Sequence, residues 1–323
     1  MTYDRYYYSV LTDAEKKIYK AIYNGLEKFE SHINLPCGSI DLWHVAEAVN
    51  LDNPHLFYVN FGECKIQKTP FNEAYMPSYY FSRKQAADLW KKVRSEVSVM
   101  VSGVCGEEYA KQLVIHDVLA KSIAYDERAK ADCSLAPYSS TVLGAFLYKK
   151  ALCEGIAKAA KLLLNVLDIK SIVAIGKMHF DSAINHAWNI VKINGIATHL
   201  DITNDLDADH SGIIHHTYCN LSDAQIAKTH SILYKYPQCN SSQYDFFIKN
   251  GLCVRHKADL ERVISRACSR GVRYAEFRLE NSGIDKNAVL QATMQTLVEH
   301  AHLRCINMAS YMNHEQGVFA LQW

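Results

Sequence analysis

The sequence predicts an α+β fold in which one largely buried helix packs against an antiparallel sheet, and three observations carry that reading. Across residues 152–167 the polar residues Glu154, Lys158, Lys161 and Asn165, continued by Asp168, form one narrow stripe at helical spacing; nearly everything else is apolar or small. So narrow a stripe implies a helix covered on most of its circumference. Residues 171–175 then form a short β-branched run. Finally, residues 186–193 and 196–203 flank Asn194-Gly195, the strongest short-range hairpin signal.

The remaining elements follow in order. Four tyrosines in residues 1–12 predict an arm packed on the body. Thr12 with Glu15 predicts a capping box, and Ile18, Ile22, Leu26 and Phe29 share one face of the helix after it. Ser39 opens a second helix that ends near Val49, ahead of the breaker Asp52-Asn53-Pro54. Residues 56–61 read as a short strand and the segment to Tyr80 as irregular with a hairpin. Ser82 and Gln85 cap a third helix reaching Val101. Residues 1–101 thus make a helical N-terminal subdomain.

Residues 107–123 predict a helix whose core face is Leu113, Val114, Val118 and Leu119; His116 and Asp117 on it read as structural. A polar loop leads from Glu127 to the Cys-bearing helix. Beyond the hairpin, residues 213–218 read as a strand. That assignment separates His215 from His216 and argues against a zinc site made with His210 and Cys219. Asp205, Asp207 and Asp209 lack the glycine and glutamate of a calcium loop and read as solvated. From residue 257 the pattern is helix, strand, helix, strand, strand, a small α+β C-terminal subdomain over residues 257–323. Its Arg266, Arg270, Arg273 and Arg278 read as a solvated face.

Composition limits the function classes. The 323 residues are 49% hydrophobic and 21% charged with a net charge of +1, and no strongly basic block predicts a nucleic-acid partner. No apolar run approaches the roughly 20 residues needed to span a bilayer. The N-terminus has no apolar signal segment, so a cytoplasmic location and no membrane partner are expected. The ten cysteines show no C-x-x-C pair, which predicts reduced thiols.

The site is read from geometry. If Asn194-Gly195 is a two-residue loop, Ile193 pairs with Ile196, His186 faces Thr203, and Trp188 faces Asp201. His186 and Asp201 then share a face as diagonal neighbours, roughly 7–8 Å apart at the backbone, within hydrogen-bonding reach of their side chains. Cys153 lies in the first turn of the central helix, where free N–H groups and the helix dipole stabilise a thiolate. A Cys at a helix start, a His, and an acid that orients the His make an acyl-transfer triad. Tyr138, in the loop before the helix, is a candidate oxyanion donor beside the Cys153 backbone N–H, and Trp188 is a candidate for the cleft wall.

At these residues the chain resembles the transglutaminase-like superfamily, whose papain-like core carries Cys on a helix and His and Asp on neighbouring strands. The resemblance rests on Cys153-Glu154-Gly155-Ile156-Ala157, His186-Ala187-Trp188-Asn189 and His199-Leu200-Asp201-Ile202-Thr203, with Leu221-Ser222-Asp223, His230 and Pro237 downstream. It covers roughly residues 100–255, and a catalytic core over 102–256 is expected. Ile156, Ala197-Thr198 and Asn204 depart from the usual aromatic residues there, which bears on packing and the cleft wall. The resemblance implies Cys153 as nucleophile, His186 as general base and acid, and Asp201 as its orienter. No metal or cofactor is required. The expected reaction is hydrolysis of a peptide or amide bond in a protein or peptide substrate. Alternatives are glutamine transamidation, cleavage of a glycosylated asparagine amide, or a non-catalytic binding or scaffold module retaining the fold.

Overall fold

A computed structural model describes every residue except 1–3, 37–39, 70–71, 207–212, 281–285 and 302–308. Cys37, Ser39, Asp207, Asp209, His210 and Cys305 therefore lie outside the described residues. The tyrosine-rich arm forms α1 (Tyr6–Val10), held by the Tyr7 hydroxyl on the Val173 carbonyl (2.5 Å) and by Tyr7 and Tyr8 N–H groups on the Asp52 carboxylate. The capping box at Thr12 and Glu15 starts α2 (Asp13–Glu27), which buries Ile18, Ile22 and Leu26. After β1 (Ile33–Leu35) comes α3 (Leu42–Asp52), capped by the Asp41 carboxylate, which accepts from the N–H groups of Trp43 and His44.

Residues 56–61 are not the expected strand. Two 3-10 turns, Pro54–Leu56 and Phe61–Glu63, enclose them, with an isolated bridge from Val59 to Tyr79. Their rings pack into an aromatic cluster, Phe57 on Trp90 and Tyr58 on Phe29 and Tyr79, so side-chain packing takes the place of a ladder. The hairpin β2 (Lys65–Lys68) and β3 (Glu73–Met76) follows, with β1 on the far side of β3. A second capping box, Ser82 with Gln85, opens α4 (Arg83–Val101).

In α5 (Glu108–Ser122) the buried face is Gln112, Ile115, His116, Leu119 and Ala120. The expected face is rotated from this, and Val114 is exposed. Two polar residues occupy core positions because each meets a buried partner: Gln112 accepts from Asn220, and His116 reaches Asp205. Next come β4 (Ala124–Tyr125), α6 (Ala136–Ser139), and β5 (Lys150–Ala151), which pairs parallel with β4 and leads into α7 (Cys153–Val166).

The central sheet contains β6 (Lys170–Met178), β7 (Asp181–Ile193), β8 (Ile196–Leu200), β9 (Cys219–Leu221) and, beyond the short helix α8 (Asp223–Ile226), β10 (His230–Ile232). The order is β10-β6-β7-β8-β9, antiparallel throughout. Helix α7 lies on β6 and β7. The middle of its polar stripe is covered too: the Lys161 ammonium donates to the carbonyls of Asp4 and Ser171, and Asn165 accepts from the Asp4 N–H. Residues 213–218 are irregular, not a strand, so His215 and His216 both turn to Glu276.

The C-terminal part comprises α9 (Phe246–Lys249), β11 (Cys253–Val254), α10 (Lys257–Ser269), β12 (Tyr274–Leu279), α11 (Lys286–Ala301), β13 (Ala309–Asn313) and β14 (Val318–Gln322). Its sheet, ordered β11-β12-β14-β13, has its own apolar cluster from Val254 to Leu321, whereas the N-terminal helices and α7 share one core. Arg278 is not solvated: it is buried, ion-paired with Asp245 and stacked over Phe247. Among the described residues no helix is long and apolar enough to cross a membrane.

Candidate active site

Cys153 is the first residue of α7, following the extended Leu152 (φ −81°, ψ 170°). Its backbone N–H has no acceptor within the helix, and the thiol sits in the positive field of the helix start. Gly155 permits this placement: a Cβ there would lie 2.4 Å from the Ser139 carbonyl oxygen and 2.9 Å from that of Thr141. The first turn of α7 is thereby pressed against the segment that precedes it.

The hairpin takes the register its turn dictates. Asn194 (φ 47°) and Gly195 (φ 87°) form the loop, Ile193 pairs with Ile196, and the ladder runs to Asn189 opposite Leu200. There it stops, so His186 and Thr203, like Trp188 and Asp201, do not pair. Asp201 instead starts a 3-10 turn (Ile202–Asp205), capped by its own side chain. The carboxylate still reaches His186, with Nε2 donating to Oδ2 at 2.8 Å.

Asp201 is fully buried, and its Oδ2 also accepts from His230 Nε2 at 3.0 Å and from the Asn204 amide. Burial alone would push its pKa up; His186 and His230 together hold it well below the usual carboxylate range. Burial likewise opposes charge on His186, but Asp201 and Cys153 outweigh it and raise the imidazole to about 10. With Nε2 committed to Asp201, the other ring nitrogen is left for Cys153, whose thiol lies close enough to the ring to help raise its pKa.

Cys153 and His186 open into a cavity of about 510 Å³, whose wall includes Tyr125, Glu47, Asn50 and Glu154. The Tyr125 hydroxyl also neighbours Cys153; burial, then the thiol's charge, raises its pKa. On the wall, Lys158 bonds Glu154 (2.7 Å) and the Asn50 amide oxygen (2.7 Å), joining α7 to α3. Asn189 secures β7 to α7 by donating to the Ala157 carbonyl at 2.9 Å.

Two site residues expected from the sequence take other places. Trp188 is buried beneath His186, its ring 5.9 Å away and stacked, and its indole N–H donates to His199 Nδ1 at 3.0 Å. It does not line the cavity. The Tyr138 ring packs on Phe81 and Tyr148, away from the cavity wall. Tyr125, Asn204 and His230 are the site residues that the sequence reading left without a role.

A second polar cluster lies behind Asp205. His116 bonds Asp117 (2.8 Å) and Asp205 (3.2 Å), and His216 bridges Asp117 (3.1 Å) and Glu276 (3.2 Å). Among the described residues, three groups have side chains close enough to share a metal ion: His116–Asp117–His216, His186–Asp201–His230 and His199–Asp223–Cys239. In each, the His nitrogens stand at hydrogen-bond distances from a carboxylate, as in a proton-shared network. Cys219 is buried beside Gln112.

No family model and no curated protein matches the chain. Among solved structures it is similar to a transglutaminase, at 15% identity and a TM-score of 0.33 over 44% of each chain. It is also similar to a candidate protease from Parabacteroides distasonis, at 14% identity and a TM-score of 0.26 over 43% of this chain and 35% of that one. A candidate cysteine protease from Cytophaga hutchinsonii shares 12% identity, with a TM-score of 0.29 over 54% of this chain and 71% of that one. Each likeness is partial, and the chain spans less than half the length of the first two.

Proposed function

We propose that the protein is a cysteine-nucleophile acyl-transfer enzyme that hydrolyses a peptide or amide bond. The observation that supports this most is His186, held by Asp201 on one ring nitrogen and neighbouring Cys153 at the mouth of a cavity. Cys153 gives its proton to His186, and the thiolate attacks the substrate carbonyl. The oxyanion that forms is met by the Cys153 backbone N–H and the Tyr125 hydroxyl. His186 then protonates the departing amine, and water drawn to the neutral imidazole resolves the thioester. Asp201, kept ionised by its donors, stabilises the imidazolium throughout.

Transamidation is the second reading, because the same thioester can pass to an amine, for which Glu47 in the cavity wall offers a carboxylate, Glu154 being ion-paired with Lys158. Both readings need an activated thiol, which pH-dependent alkylation tests. The measurement is legible because burial raises Cys239 and Cys253 to about 12 and pushes Cys219 well above the ordinary thiol value, so these thiols stay protonated near neutral pH.

A further inference from the structure

Asp201 accepts from two imidazoles, and only one of them neighbours the thiol. His230 Nε2 lies 3.0 Å from the same Oδ2 that His186 uses, and neither the His230 nor the Asp201 side chain is exposed to solvent. On its other side, His230 Nδ1 is 2.8 Å from the Thr229 hydroxyl. That hydroxyl has a single proton; the Ile226 carbonyl stands farther off at 3.4 Å, and the neighbouring Tyr218 hydroxyl, which accepts from Asn313, can donate to it. Donation to Nδ1 leaves the His230 proton on Nε2, pointed at Asp201.

The line of contacts continues into the C-terminal part. Gln316, in the turn between β13 and β14 and almost fully buried, sets its side-chain amide 3.4 Å from the Thr229 hydroxyl and 3.0 Å from the Gln225 carbonyl. Asn313 ties the turn by accepting from the Gln316 N–H, and its amide donates to the Tyr218 hydroxyl. A continuous path therefore runs Gln316–Thr229–His230–Asp201–His186–Cys153. It joins the tip of the C-terminal hairpin to the nucleophile.

Building on the acyl-transfer reading, we propose that His230 is a positioning residue, a neutral imidazole locked as the Nε2–H tautomer, which holds Asp201 ionised and aimed at His186, and that the C-terminal hairpin braces it through Gln316. A fully buried carboxylate with fewer donors takes up a proton more readily. The groups facing Asp201 from the surrounding elements are His186 on β7, His230 on β10, Asn204 on the turn after Asp201, and, farther off, Tyr125 and Tyr218. Neither tyrosine carries charge near neutral pH. Loss of the His230 donor thus falls on Asp201 directly.

The test is the pH profile of Cys153 alkylation by iodoacetamide in the full chain, for wild type, His230→Leu, His230→Gln and Gln316→Leu. In His230→Leu the acidic limb moves up by about one pH unit, so that labelling at a pH on the lower part of the wild-type limb falls about tenfold. His230→Gln, whose amide nitrogen can occupy the Nε2 position, restores the wild-type profile. Gln316→Leu shifts the limb the same way by less, and serves if His230→Leu does not fold. Profiles of His230→Leu and Gln316→Leu that superimpose on wild type overturn the proposal. A wild-type profile with no His186-dependent limb defeats the acyl-transfer reading instead. In that event ¹⁵N NMR of His230 decides: a neutral Nε2–H ring sustains the tautomer lock, and an Nδ1–H ring overturns it.

Discussion

His186 and Asp201 are bonded at 2.8 Å although the β7–β8 ladder ends at Leu200, one residue before the acid. The pair is thus made by the bend of the chain into the 3-10 turn and not by strand pairing. That bend is what brings the Asp201 carboxylate within reach of His230 and the Asn204 amide as well.

Stability should depend on pH through this pair. His186 is raised to about 10 from an unfolded value near 6.5, so its contribution is complete below about pH 6.5 and is lost as pH rises through 10. Asp201 is lowered, so its contribution is present above about pH 4 and is lost as pH falls further. Thermal unfolding between pH 6.5 and 10 should show a declining Tm, shallower in His186→Ala. His216, raised to about 9, titrates in the same window, so the difference between the two proteins is the readout.

Gly155→Ala should destabilise by about 1–3 kcal/mol, since the new methyl would meet the Ser139 and Thr141 carbonyl oxygens inside contact distance. Because the first turn of α7 must move to relieve this, Cys153 labelling should slow in the same variant. Urea unfolding and alkylation measure the two effects. A stable variant with slowed labelling would still mark the turn as the positioning element; unchanged stability and labelling would refute the tight approach.

Asn189→Ala removes the donor to the Ala157 carbonyl and weaker contacts to Ser171 and Ile172, all buried. Leaving these acceptors unmet should cost about 1–3 kcal/mol, read as a lower urea midpoint. A cost within 0.5 kcal/mol, near the scatter of ordinary surface changes, would show that β7 is held to α7 by apolar packing alone.

Tyr125→Phe separates oxyanion stabilisation from thiol activation. Turnover of an activated ester such as p-nitrophenyl acetate should fall about 10²-fold, the usual effect of losing one oxyanion donor. Alkylation, which forms no oxyanion, should keep its wild-type rate. Equal losses in both assays would assign Tyr125 to Cys153 itself.

Local patterns in the sequence reach far into this structure. Asn194-Gly195 sets the register of the central hairpin, the Thr12 and Ser82 capping boxes start two helices, and the narrow polar stripe marks α7 as covered. What they do not reach depends on partners distant in the chain. Gln112 and His116 become core residues through Asn220 and Asp205, and Arg278 is buried because Asp245 meets it. Residues 56–61 have strand composition, but their rings find an aromatic cluster first. His230 was visible only as a downstream histidine: its contact spans 29 positions and exists because the chain bends at Asp201. Trp188 looks like a cleft residue until His199 claims its N–H.

The most direct measurement is the second-order rate of iodoacetamide labelling at Cys153 from pH 4 to 10, in wild type and in His186→Ala. A thiolate–imidazolium pair predicts fast labelling below pH 7 that outpaces the other cysteines and collapses in His186→Ala. Labelling that rises only near pH 8–9, as for a free thiol, and that ignores His186 would contradict the acyl-transfer account and leave a binding module built on this fold.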